Sequence, residues 1–190
     1  MSKQENKITI VSGLFRSKKI FAPVDNKSIR PTKERIRDAI FNSLFDIKNK
    51  IFLDLYSGSG AMGIEAISRG IKKSYFNDHS FEAIKLIKNN IKLLNIDESN
   101  YLITSLKDVD ALSYYKNNNI KFDIIFIDPP YEVDYYSKII DLIIEYYLIN
   151  KDGIIIVEAN KKIEFNNKLI NIYKKKKYND IYVTFIRKNL

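Results

Sequence analysis

The chain of 190 residues has no cysteine and a single histidine, His79. The first absence excludes a disulfide framework and thiolate metal ligation, and the second argues against a zinc centre, so no metal is expected. No run of 18 or more apolar residues exists, and the amino terminus Met1-Ser-Lys-Gln-Glu-Asn6 is polar. Neither a membrane span nor a signal peptide is therefore expected, which points to a cytoplasmic protein. Arginine is also scarce. Of six arginines, four (Arg16, Arg30, Arg35, Arg37) fall in one short amino-terminal segment. The net charge of +9 owes much to lysine, which is abundant throughout together with asparagine and isoleucine, as in an AT-rich genome. The arginine cluster is the more selective sign of a polyanionic partner, because guanidinium groups suit phosphate.

What is present reads as a globular α/β chain. Hydrophobic residues make up 45% and aromatics 13%, and the length suits one domain, 1–190, with a sizeable core. Phe122-Asp-Ile-Ile-Phe-Ile127 is an apolar run that ends on Asp128-Pro129-Pro130-Tyr131. Such a run predicts a strand buried on both faces, and the two prolines make the chain leave it as a stiff loop. Asp128 and Tyr131 then stand at the carboxyl end of a central strand, the usual ligand side of an open sheet.

Ile51-Phe-Leu-Asp54-Leu-Tyr-Ser-Gly58-Ser-Gly60-Ala-Met-Gly63 predicts a strand, a glycine turn and a helix. The glycines match a dinucleotide fingerprint. However, a pyrophosphate in that turn would be repelled by Asp54, four residues before Gly58. A carboxylate there suits a cationic ligand, and S-adenosylmethionine (SAM) carries an ammonium and a sulfonium. Ser74-Tyr-Phe-Asn77-Asp78 predicts a second strand, with an acid placed to bind ribose hydroxyls; Asn77 is the alternative. Tyr101–Thr104 predicts a third strand, after which Asp108 is a candidate for the adenine amine, with backbone groups as the alternative. The helix Phe81–Leu94, a helix from beyond Tyr131 to about Leu148, and a buried strand Gly153–Glu158 follow the same alternation. The tail predicts two strands about Asn179-Asp180, with Lys174–Lys177 on a solvated edge.

At the front, residues 8–22 predict two short strands hinged near Ser12-Gly13, carrying Arg16, Lys18 and Lys19. Arg30-Pro31-Thr32 opens a helix with Thr32 as its cap and Ile36, Ala39, Ile40 and Leu44 as its buried stripe. Arg35 and Arg37 are placed off that stripe, either as solvated charges or as a basic rim beside the cofactor mouth.

Asp-Pro-Pro-Tyr resembles the tetrapeptide of SAM-dependent amino-methyltransferases, which grips an exocyclic NH2 on a planar base. Over nearly the whole chain the sequence is similar to the RsmD-like family, the 16S ribosomal RNA guanine-N2 methyltransferases. The hairpin, the Arg-Pro-Thr helix start, Asp54-x-x-x-Gly58-Ser-Gly60 with Gly63-Ile-Glu-Ala-Ile-Ser-Arg69, and Asp128–Tyr131 recur in that order. Ser12, Ser17 and the lack of an acid directly after the third strand depart from the pattern.

The resemblance implies a Rossmann-like fold, with a mostly parallel seven-stranded sheet, helices on both faces and an amino-terminal hairpin arm (8–30) before a SAM-binding catalytic core (31–190). It implies methyl transfer to N2 of a guanine at the 966-type position, by a monomer acting on 16S rRNA in an assembling small subunit. It also implies roles for particular residues. Asp128 and the Pro129 carbonyl orient the amine, Pro130 stiffens the loop and Tyr131 stacks. Asp54, Gly58, Gly60, Asp78, Arg30 and Thr32 hold SAM, and Arg16, Lys18, Arg35 and Arg37 contact RNA. The alternatives are an adenine-N6 or protein-amide methyltransferase that shares the tetrapeptide, and a SAM- or RNA-binding factor without catalysis.

Overall fold

The computed structural model describes residues 6–23, 31–129 and 134–189. Arg30, Pro130 and Tyr131 lie outside them, and of Thr32 only the backbone is described.

Nine strands and five helices follow one another in the described residues. Strands β1 (Lys7–Thr9) and β2 (Lys19–Phe21) pair antiparallel. Helix α1 (Pro31–Phe41) leads to β3 (Ile51–Asp54), α2 (Ala61–Ser68), β4 (Lys73–Asn77) and α3 (Phe81–Leu93). Then come β5 (Tyr101–Thr104), α4 (Asp108–Asn117), β6 (Phe122–Ile127), α5 (Asp134–Glu145), β7 (Ile149–Ala159), β8 (Ile170–Tyr178) and β9 (Ile181–Lys188). The main sheet has the order β5-β4-β3-β6-β7-β9-β8. Its first five members are mutually parallel, and β9 and β8 close it antiparallel. After β3 the chain winds outward through β4 and β5, then returns to lay β6 on the other side of β3. The carboxyl ends of β3 and β6 thus flank the point where the winding reverses, where open α/β sheets bind ligands.

Each sheet face is covered by helices, so the central strands are apolar on both sides. One core joins β3, β6 and β7 to α4 and α5 through residues such as Leu53, Ile125, Leu112 and Ile139. Tyr75, Tyr115 and Phe122 meet edge-on within it, with ring centroids 5.1–5.9 Å apart. The other core joins the opposite face to α1, α2 and α3 through Phe52, Phe126, Ile36, Ile64 and Ile87. Among the described residues no helix is long and apolar enough to cross a membrane.

Several expectations change in detail. The two front strands stop short of the turn at Ser12-Gly13; residues 10–18 form a longer connection folded onto the end of α2. Leu14 N–H donates to the Ser68 carbonyl at 2.7 Å. A Cβ at Gly13 (φ 81°) would stand 1.8 Å from that oxygen, so only glycine fits. Helix α1 begins at Pro31, so Thr32 lies in its first turn and does not cap it. Proline is favoured there because a first-turn N–H has no partner to lose. Helix α5 stops at Glu145, and β7 is longer than Gly153–Glu158, with a register shift between Phe122 and Ile124 of its neighbour.

The arm is bolted to the core by buried polar groups. Glu65 of α2, fully buried, accepts the Val11 and Ser12 amides at 2.8 and 3.0 Å. The same carboxylate binds Arg37 Nε at 3.2 Å and Arg69 Nε at 2.8 Å. Asn90 of α3 bonds both backbone groups of Phe21, at 2.8 and 3.0 Å, and the Ser59 carbonyl at 2.9 Å. One amide thus ties the arm to the glycine turn.

Candidate active site

The site grows from three adjacent strand ends. Asp54 closes β3 and is buried. After it the chain turns through Gly58 (φ 51°) and Gly60 (φ 78°), left-handed positions that glycine adopts at little cost, and enters α2 at Ala61. The first turn of a helix leaves amides without partners, and the Asp54 carboxyl takes that of Gly63. Burial nevertheless pushes its pKa up to about 8, with Asp128 and Asp78 adding repulsion and Gly63 and Ser57 offsetting part of it. Among the described residues no basic side chain forms an ion pair with Asp54. A buried acid that lines a cavity and is itself unpaired with a basic side chain fits a cationic ligand, as the ammonium and sulfonium of SAM require.

Parallel pairing sets Asp54 against Phe126, so Asp128 emerges one pleat beyond it on the same face. Pairing of Ile127 with Val157 sets Asp128 beside Glu158 at the end of β7. Asp128 keeps solvent contact through the open cleft while protein surrounds its other sides. That enclosure raises its pKa, and the Lys33 ammonium pulls it partly back. Glu158 is raised as well, first by desolvation and then by Asp128, with Lys33 again opposing.

These three acids line one cavity of about 200 Å³. Its roof comes from the arm, through Ile8 and Pro23, and from α1, through Lys33, Glu34 and Arg37. The arm is therefore a wall of the site as well as a basic appendage. Glu34 fixes that wall by accepting the Thr9 amide at 2.7 Å. A second cavity, of about 250 Å³, shares Tyr56 with the first and is bounded by Asn77, His79, Leu106, Lys107, Asp108 and Tyr135.

Asp78 sits beside the glycine turn, its carboxylate accepting the Gly58 and Ser80 amides at 2.9 Å each. Asn77 is committed elsewhere. Its amide donates to the Leu55 and Leu106 carbonyls at 3.1 Å, and its oxygen takes the Thr104 hydroxyl at 2.8 Å. Asp78 is half-buried beside the turn and lines neither cavity. Asp108 accepts the Tyr56 and Tyr135 hydroxyls, each at 2.8 Å, so it braces the second cavity. His79 is exposed on its loop, 3.8 Å from Asp78.

The basic residues separate. Arg16, Lys18 and Arg35 are exposed. Arg37 is not the surface phosphate contact expected from the sequence: it is buried, its Nε on Glu65 and another guanidinium nitrogen on the Thr9 carbonyl. The sequence assigns no site role to Glu158, Glu65 or Asn90. The pairing of β7 with β6 reveals the first, and the packing of the arm reveals the other two.

A mostly parallel seven-stranded sheet with an acid and a glycine turn after β3, and an Asp-Pro loop after β6, defines the Rossmann-like methyltransferases. Within that class the chain belongs to the family described as Conserved hypothetical protein 95, whose model matches residues 8–187. It is similar to Ribosomal RNA small subunit methyltransferase D of Buchnera aphidicola subsp. Acyrthosiphon pisum, with 37% identity over 94% of this chain and 92% of that protein. It is also similar to the Haemophilus influenzae protein of the same name, with 30% identity over 83% and 81% of the two chains. The solved structure of yhhF from Escherichia coli shares the fold, with a TM-score of 0.83 at 21% identity, covering 97% of this chain and 99% of that one.

Proposed function

We propose that this methyltransferase moves a methyl group from SAM to the exocyclic N2 of a guanine, the 966-type position, in 16S ribosomal RNA. The observation that carries the reading is the placement of Asp54 and Asp128 in one cavity, on neighbouring strand ends. One acid suits a cationic donor and the other suits an amine acceptor. SAM, when bound, supplies a methyl group on a positively charged sulfur, so the chain need provide neither metal nor covalent intermediate.

The chain's own part is positioning. Asp54 would hold the ammonium of the donor, the backbone at Gly58 and Gly60 would let it come close, and Asp78 would take its ribose hydroxyls. Arg30 and Thr32 would complete the mouth. An aromatic amine is a poor nucleophile because its lone pair is delocalised into the ring. Asp128 and the Pro129 carbonyl would each accept one N–H and turn that lone pair toward the methyl group. Pro130 would stiffen the loop and Tyr131 would stack on the extruded base. The amine becomes cationic as the methyl arrives, and Asp128 stabilises that charge before the proton leaves. A strong base is not needed. Arg16, Lys18 and Arg35 would track phosphates.

The chain acts, in this reading, as one unit over 1–190, a cytoplasmic monomer working on an assembling small subunit. Mapping methylated bases in the 16S rRNA of cells with and without the gene tests it. Loss of one N2-methylguanine is the expected outcome, and an unchanged methylation map would refute it.

A further inference from the structure

The proposed activity gives no part to one acid at the strand ends of the cleft. Glu158 ends β7, one residue beyond Val157, and so stands beside Asp128 one residue beyond Ile127. Glu158 lines the same cavity. Its backbone carbonyl accepts the Tyr136 hydroxyl at 3.3 Å, but among the described residues nothing donates to its carboxylate. An acid used only for folding would be bonded, as Glu65 is. Glu158 is half-buried, with the Lys33 ammonium acting on it from the same cavity but no described donor on its carboxylate oxygens, and a ligand that donates to it would complete its bonding.

The chemistry of the acceptor base says what that ligand contact is. On its pairing edge guanine carries two adjacent kinds of donor, the ring N1–H and the N2 amine. Adenine presents a bare acceptor nitrogen at N1. Asp128 takes a proton of the amine in the proposed reaction, which leaves N1–H in need of an acceptor alongside. Neighbouring strands lie about 4.8 Å apart, close enough for two carboxylates to converge on adjacent donors of one ring edge. We infer that Glu158 accepts the N1–H of the target guanine and so selects guanine over bases that lack this proton. The inference rests on the methyltransferase reading above and adds the source of its base choice. A site built to accept a hydrogen bond rejects an analogue that cannot donate one, and Glu158 in its ionised form is repelled by a ring lone pair besides; the selection therefore belongs to the pH range above its raised pKa.

The test uses 2,6-diaminopurine, which keeps the N2 amine but has no proton on N1. Small subunits are assembled on 16S rRNA ligated to carry guanine or 2,6-diaminopurine at the target position. Single-turnover methylation of N2 is followed at pH 8.5, where the raised Glu158 carboxyl is ionised, for the parent, Glu158→Gln and Glu158→Ala, with SAM affinity and thermal melting measured on each protein. The parent should favour guanine by about tenfold or more, the range of a hydrogen bond to a charged group. Both variants should narrow that ratio to about threefold or less, and Gln, which can donate to a bare N1, should narrow it further than Ala. SAM affinity should stay near parental. Variants that lose rate equally on both substrates and keep the parental ratio overturn the assignment, since a structural role predicts that pattern. A parent that shows no preference overturns it too. A parent that leaves the guanine substrate unmethylated at N2 overturns the activity itself, and this assignment with it.

Discussion

Asp128 and Glu158 stand side by side at the carboxyl end of the sheet, each one residue past a paired position, Ile127 against Val157. Two acids at one strand level cannot both ionise cheaply, and desolvation makes it harder. Asp128 is among the groups that hold Glu158 up. The end of the cleft proposed to bind the base should therefore have its own pH dependence. The rate of methyl transfer should rise with pH through an apparent pKa above the ordinary carboxylate range. Glu158→Gln, by removing one of the two charges, should move that apparent pKa down, as read from single-turnover rates between pH 5 and 8.

The end proposed to hold the donor should give a second, separable pH effect. Asp54 is raised to about 8 in the ligand-free protein. The folded chain then holds a proton that the unfolded chain has released, so stability falls as pH rises from about 4 toward 8. Thermal melts should show a lower Tm at pH 8 than at pH 5, and saturating SAM should shrink the difference. SAM affinity should itself increase from pH 5.5 to 7.5, by up to about tenfold per unit, while the donor's ammonium stays protonated. Asp54→Asn should flatten that slope, as calorimetry across the range would show.

Glu65 is predicted to matter through the arm. Removing it leaves the buried Arg37 without its carboxylate and frees the Val11 and Ser12 amides. Breaking one partner of a buried ion pair costs about 3–5 kcal/mol. Glu65→Ala should lose stability of that order in urea denaturation, and hydrogen exchange at Val11 and Ser12 should quicken. Parental exchange at those amides would count against the bolt.

The arginines should sort by exposure. Arg16→Ala and Arg35→Ala should weaken RNA binding and reduce the steepness of its salt dependence, leaving Tm nearly unchanged. Arg37→Ala should behave in the opposite way, with a lower Tm, because its guanidinium is spent on Glu65 and Thr9. A salt series of RNA affinity beside a melt of each protein distinguishes them.

What the sequence disclosed and withheld follows from the range of the interactions. Phe122–Ile127 announced a doubly buried strand because apolar residues fill both faces, and the prolines marked its end. Asp54 and its glycine turn were legible for the same local reason: charge, spacing and turn all fall within seven residues. Glu158 was not, since one acid at the end of an apolar strand looks like a solvated terminus until β7 is paired with β6. Arg37 misled because arginine near a helix start suggests phosphate. Its position three residues before Ile40 turns it toward the core, where Glu65, 28 residues on, neutralises it. Asn90 meets Phe21 across 69 residues, and nothing local signals such a bond.

The central claim is that Asp128 holds and stabilises the amine that receives the methyl group. Asparagine there keeps the shape and one acceptor but not the charge. Hydrogen bonds to charged groups are worth about 1.5–3 kcal/mol, or roughly 10- to 150-fold in rate when lost only in the transition state. The direct measurement is single-turnover methyl transfer to the 16S rRNA substrate by the parent, Asp128→Asn and Asp128→Ala, with SAM affinity determined on the same preparations. The account predicts a slowing in that range for asparagine, a larger one for alanine, and SAM affinity near parental in both. Methylation of guanine N2 at the parental rate by Asp128→Ala would contradict it.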